Sequence, residues 1–229
     1  MNNILYFIRA LFKRGPRFPI HYLQESLGFD LRYGTDTHLR VPKGGLDVEG
    51  ERRDGILYVA SWTSVVRRAL TWCESELGRR RFLESQFFDL GCGKGKSLLV
   101  YGLKYGVKAR DVAIGIEYES ALCEIARANI NKVGAKAGRL EVYCDSALNI
   151  SQYVTSEAII VYLYNPFQGE TLRAVLDQLS VYPHLLIYVD PVEKDQLLSC
   201  GYNILTFHQG RYNADTWLVA GRSINLVAR

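Results

Sequence analysis

The sequence predicts a doubly wound α/β fold: a mostly parallel, seven-stranded sheet that ends in an antiparallel hairpin and follows an N-terminal helical and loop extension. Three observations carry this expectation. From about residue 85, apolar runs alternate with glycine-containing turns and helix-like segments, which is the rhythm of a parallel sheet with crossover helices. The runs are near-continuous Ile, Val, Leu and Tyr, as suits strands covered on both faces. After Gly201 the rhythm changes to two β-rich stretches joined by Gly210-Arg211-Tyr212-Asn213, which reads as an antiparallel hairpin.

In chain order, Met1 to Phe12 is apolar, with Ile4, Phe7, Ile8 and Leu11 spaced as one face of a short helix. Arg9 interrupts it and Lys13, Arg14 and Arg17 follow it, with no positive region before it and no small-residue cleavage site, so a secretory signal is not expected. Packing of that face on the protein is favoured over lying on a membrane surface. Arg32 to Gly55 is rich in Gly, Asp and Arg with little periodicity and is expected to be a loop of the kind that shapes a pocket. A helix is predicted from Ala60 to Leu77, stopped by Gly78. Strands follow at Phe87–Leu90, Val112–Ile116, Leu140–Tyr143, Ala158–Leu163 and Leu185–Val189. Helices are expected between them at Lys96–Tyr105, Ser120–Val133, Glu170–Ser180 and Glu193–Ser199; Leu122, Ile125, Ala126, Ile130 and Val133 mark the second at helical spacing. The hairpin strands are Tyr202–His208 and Thr216–Gly221.

Several classes are disfavoured by composition. At 229 residues and 48% hydrophobic the chain can bury a full core, yet no run approaches the roughly 18 apolar residues needed to span a bilayer. The five cysteines, Cys73, Cys92, Cys123, Cys144 and Cys200, are scattered and never in a Cys-x-x-Cys pair; they read as reduced thiols of a cytoplasmic protein, with no disulfide framework and no metal site. His21, His38, His184 and His208 are equally dispersed. The net charge of +4 comes from residues 1–80, with 13 Lys/Arg against 9 Asp/Glu, while the rest is balanced at 15 each. That surplus is too weak for a dedicated nucleic-acid binder. Arg79, Arg80 and Arg81 form the one dense basic cluster and read as a solvated helix end.

The strongest motif is Phe87-Phe88-Asp89-Leu90-Gly91-Cys92-Gly93-Lys94-Gly95-Lys96, a strand running into a glycine turn that opens a helix. Gly91, Gly93 and Gly95 let backbone amides approach a ligand closely, and Cys92 lies among them. The Gly-x-Gly-x-Gly spacing differs from the Gly-x-Gly-x-x-Gly that cradles a pyrophosphate, and it suits a nucleoside without phosphates. Asp89 is placed to hold an ammonium; the alternative is a tight turn with a buried capping acid. At the second strand end, Glu117 stands 22 residues past Gly95, where a carboxylate can take both hydroxyls of a ribose, and Tyr118 follows it. After the third strand, Asp145 can accept from an adenine amine with Ser146 beside it, or simply start a turn.

These three elements resemble the class I S-adenosylmethionine-dependent methyltransferases over about residues 58–221. The resemblance implies a Rossmann-like methyltransferase fold, S-adenosylmethionine as cofactor, and Asp89, Gly91, Cys92, Gly93, Gly95, Glu117, Tyr118, Asp145 and Ser146 as its binding residues. Tyr164-Asn165-Pro166-Phe167 is similar to a shortened Asn/Asp-Pro-Pro-Tyr/Phe motif of amino-group methyltransferases, which implies that Asn165 and Pro166 accept from a target nitrogen while Phe167 packs on the acceptor. A strand-to-helix turn is the other reading of those residues. The stretch Asp30 to Thr37, with the glycine turn and Asn-Pro-Phe, resembles a bacterial methyltransferase-like group, and Thr35, Asp36 and Tyr58 are candidates for a pocket wall. The expected division is an extension at 1–57, serving as pocket or lid segment, and a catalytic domain at 58–229. The expected acceptor is a nitrogen of a protein or small molecule. Competing readings are a non-catalytic binding module, a nucleic-acid base methyltransferase and a nicotinamide-dependent oxidoreductase.

Overall fold

The computed structural model describes residues 20–21, 23–38 and 59–222. The predicted helix at Met1 to Phe12, most of the loop to Gly55 and Tyr58 lie outside the described residues. Leu23–Leu27 is a π-helical turn leading into α1, Gly28–Tyr33, which Gly34 closes in the left-handed conformation at φ 69°. Helix α2 spans Thr63–Leu77 and presents Val65, Val66, Ala69, Leu70 and Cys73 to the core at helical spacing.

The run of arginines does not end α2. Gly78, at φ 74°, breaks the helix and a second short helix, α3, begins at Arg79 and ends at Glu84. The reason is Phe82, which is fully buried against Tyr105 at 4.6 Å between ring centroids and pulls that turn onto the core.

Next come β1 (Gln86–Leu90), α4 (Lys96–Tyr101), β2 (Ala113–Glu117), α5 (Ser120–Val133), β3 (Leu140–Cys144), β4 (Ile159–Tyr164), α6 (Gly169–Leu179), β5 (His184–Val189), α7 (Lys194–Ser199), β6 (Asn203–His208) and β7 (Trp217–Gly221). The helix predicted to reach Tyr105 widens after Tyr101 into a π turn at Gly102–Gly106. Gly102 and Gly106 have no room for a side chain, since a Cβ would meet the Ala137 carbonyl oxygen at 2.7 and 2.1 Å.

Among the described residues the seven strands form one sheet in the order β3-β2-β1-β4-β5-β7-β6. Neighbours from β3 to β5 pair parallel, while β7 runs antiparallel to both β5 and β6. The strand order therefore reverses between β1 and β4, and in sheets of this kind ligands bind outside the carboxyl ends of the strands at that point.

Alternation along the strands sorts side chains into two cores. Phe87, Ile160, Tyr162, Ile187 and Val219 face α2, α4 and α5, whereas Phe88, Val161, Leu163, Leu186 and Leu218 face α6 and α7. Each large side chain buried this way contributes about 1.5–3 kcal/mol. No helix among the described residues is long and apolar enough to cross a membrane.

Candidate active site at the carboxyl ends of the strands

Asp89 shares the face of Phe87, so its carboxylate points at the first turn of α4. It accepts from the Ser97 hydroxyl and the Leu98 amide and is almost wholly buried. The glycine turn that separates strand from helix is thereby braced from behind. Burial pushes the carboxyl up to about 7, helped by the nearby charge of Glu117 and opposed by the two hydrogen bonds.

The turn itself uses backbone that other residues adopt at a cost. Gly91, Gly93 and Gly95 have φ of 70°, 53° and 81°. The Gly91 and Cys92 amides donate to the Ile116 carbonyl at 2.8 and 3.1 Å, which stitches the turn to the end of β2. A Cβ at Gly91 would sit 2.3 Å from the Cβ of Pro166, so the glycine turn and the end of β4 are in direct contact. Cys92 is buried, with its sulfur over Gly115.

Glu117 reaches across to this turn. One carboxylate oxygen accepts from the Gly93 amide at 2.8 Å and the other from the Glu119 amide at 2.9 Å. Desolvation holds its carboxyl above the usual range, opposed by those backbone donors. The two acids at 89 and 117 thus stand at the same end of the sheet, close enough for the charge of Glu117 to raise the cost of ionising Asp89. Tyr118 is about half exposed beside them.

Asp145 follows β3, and its amide donates to the Glu117 carbonyl at 3.0 Å. Its carboxylate accepts from the Ser146 amide, the Asn149 side chain and the Tyr153 hydroxyl at 2.7, 2.8 and 2.6 Å, which holds it below the usual range, Tyr153 foremost. Ser146 caps the following 3-10 turn by accepting from the Leu148 amide. The strand-tip acids Asp89, Glu117 and Asp145 are brought together in the predicted order, but Asp145 is more occupied by internal partners than the sequence suggests.

Asn165 is buried in the left-handed region at φ 39°, and its side-chain oxygen accepts from Gln168 at 3.4 Å. A non-glycine residue there is costly, about 1–3 kcal/mol, and such residues gather at functional sites. Phe167 is buried in the core that faces α6. Its ring lies behind the Asn-Pro turn and serves that core. Asp190, which the sequence does not single out, ends β5 in the same strained conformation at φ 49°.

The lysines of the glycine turn are not singled out by the sequence motifs. Lys94 is almost fully buried and pairs with Asp36, at 3.0 and 3.1 Å to its two oxygens. Asn129 of α5 completes the link: it accepts from the Asp36 amide at 2.8 Å and donates to the carbonyls of Asp36 and Lys94, both at 3.0 Å. Lys96 donates to the Glu25 carbonyl and lies 5.6 Å from the centre of the Phe29 ring; burial lowers it to about 8. Two long cations alternating with glycines need carboxylates or carbonyls from another segment, and that need is visible in the sequence.

Thr35, Thr37 and His38 all bond to the Asp30 carboxylate, the Thr35 and Thr37 hydroxyls at 2.6 and 2.7 Å. Thr35 thus organises its own loop, while Asp36 ties that loop to the glycine turn. Among the described residues no group of three or more His, Cys, Asp or Glu could hold a metal.

No family model and no curated protein matches the sequence. Solved structures do resemble it. The magnesium protoporphyrin IX methyltransferase of Synechocystis PCC 6803 with bound S-adenosylmethionine aligns over 90% of this chain and 97% of its own, at 16% identity and a TM-score of 0.50. The same protein with S-adenosylhomocysteine aligns over 90% and 99%, at 15% identity and 0.50. An amino pentose methyltransferase from Micromonospora echinaspora involved in calicheamicin biosynthesis, with bound S-adenosylmethionine, aligns over 71% and 92%, at 13% identity and 0.51. At such identities the likeness is one of fold, and the fold is that of the class I methyltransferases.

Proposed function

We propose that a chain with this fold and these strand-tip acids is an S-adenosylmethionine-dependent methyltransferase acting on a nitrogen of a protein or small molecule in the cytoplasm. The single observation that carries the reading is the convergence of the Asp89 and Glu117 carboxyls, both desolvated, on one bare-backbone turn. A buried Asp89 and a partly buried Glu117, both desolvated, form an environment that a cationic ligand relieves. The residues present fit such a ligand when it carries a nucleoside, because the left-handed glycines leave its path free of side chains.

Bound there, the cofactor would supply an activated methyl group on a sulfonium. Glu117, its oxygens already oriented by the Gly93 and Glu119 amides, has lone pairs left for two ribose hydroxyls. Asp89, behind the turn, favours an ammonium through charge and through an intervening water. Asp145 and Ser146 flank the adenine, with Tyr118 available to cover it. Asn165 and Pro166 accept from the target N–H, while Phe167 supports their turn from the core. Residues 23–38, pinned on the glycine turn by Lys94 and Lys96, form part of the acceptor wall. The chain's main contribution is alignment and exclusion of water, and alignment is worth on the order of 7–11 kcal/mol in favourable cases.

Calorimetry with S-adenosylhomocysteine tests the cofactor half. Glu117→Ala is expected to weaken binding about 10- to 100-fold, the worth of hydrogen bonds to a charged group, and unchanged affinity would remove the ribose assignment. Asn165→Ala should leave that affinity within about twofold while slowing tritium transfer from labelled cofactor into fractionated cell extract by about 100-fold, the scale of losing one preorganised polar contact to the reacting group. Equal losses of binding and transfer would shift Asn165 to the cofactor's side.

A further inference from the structure

Of the five cysteines, two meet. Cys144 ends β3 as the cross-strand partner of Glu117, and Cys123 lies in the first turn of α5. The Cys123 thiol donates to the Glu117 carbonyl at 3.2 Å, the Cys144 thiol donates to the Tyr118 carbonyl at 3.8 Å, and the two thiols are within hydrogen-bonding contact of each other. Their exposure is opposite: Cys144 is exposed and Cys123 has no accessible surface. Burial and the adjacent Cys144 hold the Cys123 thiol above the ordinary range, so the outer sulfur is the one that meets an oxidant first.

We infer that Cys123 and Cys144 are a modification site, a thiol pair that a hydroperoxide converts to a disulfide and that thereby weakens cofactor binding at Glu117. The chemistry balances in two steps. The Cys144 sulfur attacks hydrogen peroxide, the O–O bond breaks, and a sulfenic acid and one water result. The Cys123 sulfur then attacks that of Cys144, so that the S–S bond forms, the S–O bond breaks and a second water leaves. Both thiol protons and two electrons end on the peroxide. A thiol reductant reverses the change.

Disulfide formation abolishes both thiol-to-carbonyl bonds at residues 117 and 118 and joins the start of α5 to the tip of β3. The turn that aims the Glu117 carboxylate is held between those two points. Cofactor affinity is expected to fall about tenfold, within the usual range of coupling between two sites, and by reciprocity bound cofactor disfavours the disulfide by the same factor. The regulatory half of this inference rests on the cofactor reading above; the disulfide itself does not.

The test uses the full chain, reduced, then exposed to hydrogen peroxide, and finally returned to dithiothreitol. Peptide mapping without reductant is expected to yield a Cys123–Cys144 cross-link, absent from Cys144→Ser. Calorimetry with S-adenosylhomocysteine should give about tenfold weaker binding in the oxidised chain, recovery on reduction, and no peroxide effect in Cys144→Ser. Oxidation of Cys144 to the sulfinic acid with Cys123 left free overturns the pair. A cross-link with unchanged affinity overturns the regulation. If the reduced chain binds no S-adenosylhomocysteine, the cofactor reading falls and takes the regulation with it, while the mass of the cross-linked peptide still decides the disulfide.

Discussion

Asp89 shows how much one carboxyl can reveal when its surroundings are known. Its group is held near 7 mainly by burial, against an ordinary value of 3.8. Between those values the folded chain keeps a proton that the unfolded chain has released, so this group's contribution to stability falls as pH rises through that window. An ammonium group beside Asp89 favours the ionised form, and binding of a ligand that carries one should therefore strengthen over the same interval. Affinity for S-adenosylhomocysteine is expected to rise from about pH 5.5 to about pH 7.5, by up to about tenfold per unit for one released proton. Asp89→Asn should flatten that slope in calorimetry, and a variant that keeps it would assign the proton elsewhere, with Glu117 the nearest candidate. Asp89, Glu117 and Asn165 are legible in the sequence because each lies at the end of an apolar run, where strand periodicity gives way to a turn. Asn129 is not, since its partners Asp36 and Lys94 lie on other segments and only the folded chain brings them together.

At the scale of elements, the turn between β1 and α4 depends on glycine for two different reasons, and substitution can separate them. Gly91→Ala meets both a left-handed backbone and the Pro166 side chain at 2.3 Å. Gly34, at φ 69° and ψ 20° with nothing within 4 Å, meets the left-handed backbone cost alone. Gly34→Ala is expected to cost about 1–2 kcal/mol. Gly91→Ala should cost about 1–3 kcal/mol more, the scale of overpacking, and displace the Asn165 turn. Urea unfolding of the two variants checks the order; equal losses would mean that the two strand ends do not press on each other. The strands and long helices are predictable from periodicity alone, as Ser120–Val133 illustrates. The new helix at Arg79–Glu84 and the widening at Gly102–Gly106 are not, because a buried Phe82 and the crowding carbonyl of Ala137 decide them from a distance.

For the whole molecule, the reversal of strand order puts the residues proposed for cofactor and acceptor at neighbouring strand ends of one sheet, so on that proposal ligand binding should be felt as global stability. A ligand held at 100 times its dissociation constant adds about 2.7 kcal/mol. In a chain of this size that corresponds to a rise in Tm of about 5–10 °C. A thermal scan with S-adenosylhomocysteine measures it, and S-adenosylmethionine should act in the same direction. A comparable rise with a nicotinamide dinucleotide in place of both would favour the oxidoreductase reading.

The clamp on Asp36 has a consequence for how the protein is made. Its backbone is held by Asn129, 93 positions later in the chain. At synthesis rates of about 5–20 residues per second, about 5–20 s separate the two on the ribosome. The segment translated first is therefore among the last to be seated, and Phe29 must wait, without its Lys96 partner, until the nascent chain has delivered the surface that receives it.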